Sequence, residues 1–310
     1  MTDFEIYRFT SRPAAPAVAT VGFFDGVHLG HQYLFRQVRA LAADQGYAAL
    51  AVTFDRHPRQ VLSADYRPKL LTTLPEKLDL LAASGLDACA VLRFTPAMAA
   101  LTSGAFMSRY LVGAFGARSL VVGYDHHFGS DTGATLADYQ AEGRAQGLEV
   151  VPAPAFSTAE FTVSSSTVRR LLEGGNVERA TQCLGRPYAL AGTVVEGRHL
   201  GRDIGFPTAN LRPSDPGKLV PGRGVYAVEA TVDGHTYGAM LNIGWRPTLA
   251  DGRGPTIEAH LFGFSGDLYG RGLTLRFFHR LRDEQRFDSL ESLQAQLRTD
   301  AARCRRLLGL

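Results

Sequence analysis

The sequence has no long apolar run, few cysteines and no block of like charge. No stretch approaches the ~20 consecutive apolar residues of a membrane-spanning helix, so no membrane partner is expected. Three cysteines, Cys89, Cys183 and Cys304, are too few and too far apart for a disulfide framework or a zinc cluster. They suit a reducing, cytoplasmic setting. The formal net charge is only +3, without a basic cluster, and this argues against a nucleic-acid partner. The segment MTDFEIYRFT carries Asp3 and Glu5 and lacks an apolar centre, so no secretory signal is expected. What remains is an ordinary globular composition, 45% hydrophobic and 20% charged.

At 310 residues the chain is long for one domain and comfortable for two. Its first half alternates apolar runs with amphipathic stretches. AVATVGFF, AALAVTF, DACAVLRF, SLVVGY and LEVVPA read as buried strands, and HQYLFRQVRALAADQG and PEKLDLLAASG as helices between them. The second helix opens with Pro75 and stops at Gly85. Such alternation predicts a doubly wound parallel sheet with both faces covered. A further helix is expected from about Ser166 to Glu173. After Arg186 the segments become short, β-branched or alternating, and punctuated by glycine, which predicts an antiparallel barrel or sandwich. VDGHTYG reads as a hairpin turn. A terminal helix is expected to be capped by Asp288, with Glu291 completing a capping box and Leu290, Leu293 and Leu297 on one face. The boundary falls near residue 185, giving domains 1–185 and 186–310.

GFFDGVHLGH places two histidines, His28 and His31, just beyond the first buried strand. In a helix starting near His28 they share a face. Gly30 permits close approach, and free N–H groups at a helix start attract phosphate. Two imidazoles there could donate to phosphate oxygens and stabilise charge in an in-line displacement. The plainer alternative is a capping or surface histidine. A second constellation, GRHLGRDIGFPTANL, does not fit a Walker phosphate loop. Glycines 197, 201 and 205 could still turn backbone N–H groups to a polyphosphate. Thr208 and Asn210 share one side if extended, and their neutral oxygens near phosphates could hold Mg²⁺. The alternative is a turn-rich loop.

GFFDGVHLGH, TFDRHP, VVGYDHHFG and VSSSTVRRLL occur in an order that resembles the bacterial bifunctional riboflavin kinase/FMN adenylyltransferase (FAD synthetase) family. GRDIGFPTAN, GVYAV, LNIGWRPT, IEAHLF, DLYG and RDEQRF resemble the kinase module of the same family. The resemblance implies a Rossmann-like nucleotidyltransferase domain followed by a small antiparallel β-barrel with a C-terminal helix. It implies riboflavin phosphorylation by ATP in the second module and adenylylation of FMN to FAD, with pyrophosphate release, in the first. It also implies roles. His28 and His31 hold ATP phosphates, and Arg169 reaches the triphosphate. Gly22, Phe24, Asp25, Asp125, Ser164 and Ser165 shape the nucleotide site. Gly201, Arg202, Gly205, Phe206 and Pro207 bind the second nucleotide, Thr208 and Asn210 its Mg²⁺, and Glu258 is the general base.

Ser164 and Ser165 read equally as helix caps. Arg282, Glu284 and Arg286 read either as a border of the flavin site or, more readily from sequence alone, as a solvated face, and Trp245 as a packing or a ligand residue. The chain departs from the family at His126, His127 and GSDTGAT, where a basic residue is common, and at Ser166. A riboflavin kinase with a degenerate or altered first module is therefore the alternative. A flavin-responsive nucleic-acid regulator is a third reading, opposed by the near-neutral charge. The expected partners are ATP, riboflavin and FMN, and the expected state a monomer or weak homo-oligomer.

Overall fold

The structure, a computed structural model, describes residues 4–8, 15–63, 65–67, 69–123, 127–131, 133–154, 156, 163–197, 205–244 and 255–310. The chain divides into two compact units, Met1–Ser165 and Ser166–Leu310. This division lies about twenty residues before the change of sequence texture near residue 185.

In the first unit, β1 (Glu5–Arg8), β2 (Ala17–Val21), β3 (Ala48–Phe54), β4 (Ala88–Leu92), β5 (Ala117–Val122) and β6 (Glu149–Pro152) form one parallel sheet. Its order is β1-β4-β3-β2-β5-β6. The five expected strands are all present, and β1 adds an edge strand beside β4. Alternate strand residues feed two cores. Ala17, Ala19, Leu50 and Val52 face one layer, and Val18, Ala49, Ala51 and Cys89 the other. Both faces are thus covered, as a parallel sheet requires. The helices are α1 (Leu29–Gln45), α2 (Pro58–Leu62), α3 (Leu74–Ala83), α4 (Pro96–Ala99), α5 (Ser103–Phe106) and α6 (Leu136–Ala145), with a π-helical segment at Met107–Ala114. The winding reverses between β2 and β5, which marks the place where open α/β sheets bind ligands.

Helix α7 (Ser165–Glu173) begins at the division, and α8 (Val177–Leu184) packs on the second unit's strands. Asn176 caps α8, and Gly185 ends it in the left-handed region. Strands β7 (Tyr188–Val195), β8 (Ala209–Pro213), β9 (Gly224–Val232), β10 (His235–Gly244), β11 (Thr256–Leu261) and β12 (Gly272–Arg282) close a barrel in the order β10-β11-β8-β7-β12-β9. All its pairings are antiparallel. The expected hairpin joins β9 to β10 through Asp233 and Gly234, both at positive φ, as a two-residue turn of primed type demands.

The last helix, α9 (Leu290–Leu308), corrects two expectations. Ser289, not Asp288, caps it, and Ser292, not Glu291, completes the capping box. Leu290 is 56% exposed, while Ala301 and Cys304 are buried against Val225, Met240 and Leu281. The apolar stripe therefore starts at Leu293 rather than Leu290.

One buried cation holds strand ends together in the first unit. Lys77 of α3, 2% exposed, donates to the carbonyls of Phe23 and Phe54, each at 3.0 Å, and to the Thr53 hydroxyl at 3.1 Å. Burial lowers its pKa from 10.5 to about 8, although the Asp25 charge opposes this. Below pH 8 the folded and unfolded chains both hold the proton. Between pH 8 and 10.5 only the unfolded chain holds it, so this group's contribution to stability rises with pH. Buried Cys89, raised from 9.0 to about 12, acts in the opposite sense above pH 9. The difference in unfolding free energy between wild type and Lys77→Met should therefore shift in favour of wild type across pH 8–10, by up to roughly 3 kcal/mol. Urea titration at several pH values measures it, and a flat difference would contradict it.

Candidate functional site

Two groups of side chains are positioned for chemistry, one in each unit. The first starts where β2 ends. The Gly22 N–H donates to Val52 O at 3.0 Å, which keeps the chain in the sheet for one more residue. A Cβ at Gly22 would lie 2.6 Å from the Phe24 ring, so no other residue fits without a shift. The chain then turns through Phe24, Gly26 and Val27 at φ of 52°, 80° and 40°. Two non-glycine residues in the left-handed region cost of order 1–3 kcal/mol each and persist only where the surroundings hold them.

Asp25 supplies that hold. Its carboxylate, 2% exposed, accepts the N–H groups of Leu71 and Thr72 at 3.0 Å and the Thr72 hydroxyl at 3.3 Å. The Gly26 N–H donates back to that hydroxyl at 3.0 Å. The Ser165 hydroxyl donates to the Asp25 carbonyl at 2.9 Å. Phe24 is buried edge-on against Phe35, with centroids 5.0 Å apart. Asp25 and Phe24 therefore build the loop from behind.

This turn delivers His28 to the N-cap of α1, where its Nδ1 accepts the His31 N–H at 3.3 Å. An accepting Nδ1 leaves the proton of the neutral ring on Nε2, which is then a donor. The two imidazoles stack, with centroids 3.6 Å apart and planes 18° from parallel. Gly30 lies beneath them, since a Cβ there would sit 3.2 Å from His28 Nδ1. Ser164 and Ser165 are half-buried at the start of α7, and Arg169 is half-buried one turn on, in the second unit. Asp125 and His126 lie outside the described residues, and His127 is exposed. In GSDTGAT, Asp131 accepts the Ser103 N–H at 2.8 Å and its hydroxyl at 2.6 Å, so the acid caps α5. Sequence reasoning missed Lys77 and Thr72, whose roles depend on partners from other elements.

The second group lies on the outer face of the barrel. Along β11, Ile257, Ala259 and Leu261 are buried inward, so Glu258 and His260 face out. Cross-strand register aligns Asn210, Glu258 and Asn242 in one row. A cavity of about 380 Å³ opens over this face. Thr208, Asn242, Glu258 and His260 form part of its polar lining, and Phe206, Val225, Met240, Phe287, Leu293 and Leu297 its apolar wall. Asn210 does not line it, and its amide lies against Gly197. Gly205 and Pro207 are exposed beside it, whereas Gly201, Arg202 and Trp245 fall outside the described residues.

Of the three residues read as a flavin border or a solvated face, Arg282 and Glu284 line the cavity, Arg282 half-buried and Glu284 exposed. Arg282 Nε and Nη2 donate to Asp300 at 2.9 and 2.7 Å, and Asp300 is 3% exposed on α9. Arg286 is exposed, as expected. Asn242 and His260 were missed, although the Glu-x-His spacing on an alternating strand pointed to the latter. Thr208 and Asn210 bring the hard oxygen donors that Mg²⁺ takes, and Asn210 stands opposite Glu258 in the ladder. Among the described residues there is no group of three or more His, Cys, Asp or Glu that could hold a metal ion.

Two family models match the chain: FAD synthetase over residues 11–167 and riboflavin kinase over 184–308. The bifunctional riboflavin kinase/FMN adenylyltransferase of Listeria monocytogenes is 38% identical over 91% of this chain and 90% of the relative. That of Pseudomonas fluorescens is 38% identical over 94% and 92%. A crystal structure described as a macrolide-efflux protein from Streptococcus pneumoniae superposes with a TM-score of 0.88 at 30% identity, covering 97% of this chain and 98% of that one. Among the described residues of this chain no helix is long and apolar enough to cross a membrane. With a model match in each half and such relatives along nearly its whole length, the chain belongs to the bifunctional riboflavin kinase/FMN adenylyltransferase family.

Proposed function

We propose that the two reactions of this family divide between the two sites just described. In the barrel, riboflavin attacks the γ-phosphate of ATP to give FMN and ADP. In the parallel-sheet unit, the FMN phosphate attacks the α-phosphate of a second ATP to give FAD and pyrophosphate. The observation that carries this is the stacked His28–His31 pair on a helix N-terminus at the switch point of the sheet. The module limits in this reading are 1–185 and 186–310, which assign residues 168–183, lying between the two family matches, to the first module.

In adenylylation, His28 would turn its Nε2–H to phosphate beside the N-terminus of α1, where the helix dipole favours negative charge. His31 presents the second ring. Ser164, Ser165 and Arg169 would serve the polyphosphate from the start of α7, and Asp125 the nucleotide. Gly22, Phe24 and Asp25 act by setting the loop. Half-buried Phe23, Phe94 and Phe128, packed against the sheet's core, offer an apolar surface for the FMN ring. The intact histidine loop and the family match over 11–167 favour an active module over a degenerate one. The Asp131 cap gives the unusual GSDTGAT segment a structural reason.

In the kinase site, Glu258 takes the proton of the ribityl 5′-hydroxyl. The apolar wall suits an isoalloxazine, and a cavity of this size falls in the ~300–1,000 Å³ range of small-molecule sites. Gly201, Arg202, Gly205, Phe206 and Pro207 would border the nucleotide. Mg²⁺ brought with ATP would be held by Thr208 and Asn210 and would neutralise phosphate charge. The reading extends to a cytoplasmic enzyme, monomeric or weakly self-associating, with ATP, riboflavin and FMN as its partners and without nucleic acid. Its buried, unpaired cysteines suit a reducing compartment.

His28→Ala and His31→Ala should each lower FAD formation from supplied FMN by about 10²–10³-fold and leave FMN formation from riboflavin unchanged. Glu258→Ala and Asn210→Ala should do the reverse. Chromatography of flavins after incubation with ATP–Mg²⁺ reads both, and loss of FMN adenylylation in a Glu258 variant would contradict separate sites. Gly22→Ala should destabilise the first unit by about 1–3 kcal/mol in urea, because the added methyl meets the Phe24 ring. An unchanged midpoint would show that the ring moves aside freely.

A further inference from the structure

Resting on the kinase reading of the barrel site, we propose that His260 is a positioning residue of that site. Its imidazole holds the Phe206–Pro207–Thr208 segment so that Thr208 meets the nucleotide in one fixed place. The β8–β11 ladder pairs only Asn210 with Glu258 and Ala209 with Ala259. Upstream, Pro207 has no N–H and cannot extend it. The Pro207 carbonyl still takes a partner, and His260 Nδ1 donates to it at 2.8 Å. A carbonyl only accepts, so Nδ1 carries a proton.

The ring itself is fixed from two sides. Phe206 meets it edge to face at 5.2 Å and Phe262 at 5.6 Å. Burial lowers the His260 pKa, the bond to Pro207 opposes that, and the Arg305 charge adds to it. The neutral ring with its proton on Nδ1 therefore suits the bond. Glu258 and His260 stand two residues apart on β11 and share its outer face, and both line the cavity with Thr208 and Phe206. One strand thus carries the general base and the clasp that holds a metal-binding residue against it. Among the described residues the β8–β11 ladder stops at Ala209, short of residues 205–208, and Gly205 at φ 80° leaves their approach permissive.

Steady-state riboflavin phosphorylation by the full-length protein tests this with two variants. His260→Phe keeps an aromatic ring and removes the donor. His260→Asn places an amide N–H near the position of Nδ1. For His260→Phe the KM for ATP–Mg²⁺ should rise about tenfold with kcat within about twofold, the signature of lost uniform binding. His260→Asn should restore KM to within about threefold of wild type, although it packs worse. A wild-type KM in His260→Phe would overturn the clasp. So would a His260→Asn variant as impaired as His260→Phe, since ring packing alone would then explain the effect. Should the phenylalanine variant not fold, the asparagine variant alone decides, near-wild-type KM supporting the clasp and a tenfold rise refuting it. Failure of the wild-type protein to make FMN would overturn the kinase reading itself, and the clasp with it, before any variant is compared.

Discussion

A buried carboxylate holds the loop that carries the first unit's histidine pair. Asp25 accepts three donors from residues 71 and 72, and in doing so holds a turn that the backbone alone would not keep. Phe24 and Val27 stand in the left-handed region because that turn must fit between the end of β2 and the start of α1 in few residues. The strain is local and the restraint comes from far along the chain. What the turn delivers is a histidine at an N-cap, with its Nδ1 accepting the His31 N–H and the proton of the neutral ring on Nε2. Lys77 acts on the same region from below, tying the carbonyl after β2 to that at the end of β3. A buried ammonium and a buried carboxylate thus fix the rim of the sheet where the winding reverses.

The barrel solves a different problem. The buried side chains of its strands include Tyr188, Tyr226 and Phe277 besides aliphatic ones, and the three rings pack on one another. The proposed kinase site lies on the outer face, where alternation on β8, β10 and β11 sets polar side chains in register. Helix α9 supplies the apolar wall through Leu293 and Leu297, and it fixes Arg282 through Asp300. Removal of Asp300 would leave a cavity-lining guanidinium without its buried partner, a costly change.

Much of this was legible in the residues. The five strands from Ala17 to Pro152 announce themselves as apolar runs, and the β-domain by its glycine punctuation. GFFDGVHLGH is informative because the turn, the N-cap and both histidines lie within ten residues. Other features were not legible, for identifiable reasons. Strand β1 is four residues long and shows no period of its own. The role of Asp25 depends on N–H groups 46 and 47 residues away. Asp288 and Ser289 are both good caps, and only the backbone at Ser289 decides between them. Arg282 looks solvent-facing in a charged stretch, and its bonds to Asp300 on α9 hold it half-buried at the cavity. His260 hides in a strand whose alternation is clear, because its partner is a carbonyl 53 residues upstream.

The most direct measurement of the central claim is the rate of FAD formation from supplied FMN and ATP–Mg²⁺ in an Asp25→Ala variant, with riboflavin phosphorylation by the same preparation as reference. Loss of the carboxylate leaves buried N–H groups unpaired and releases the turn, at a cost of about 1–3 kcal/mol for each group. The account predicts adenylylation reduced at least about tenfold with phosphorylation unchanged. Adenylylation at the wild-type rate would contradict it, because the histidine pair would then keep its place without the interaction said to hold it there.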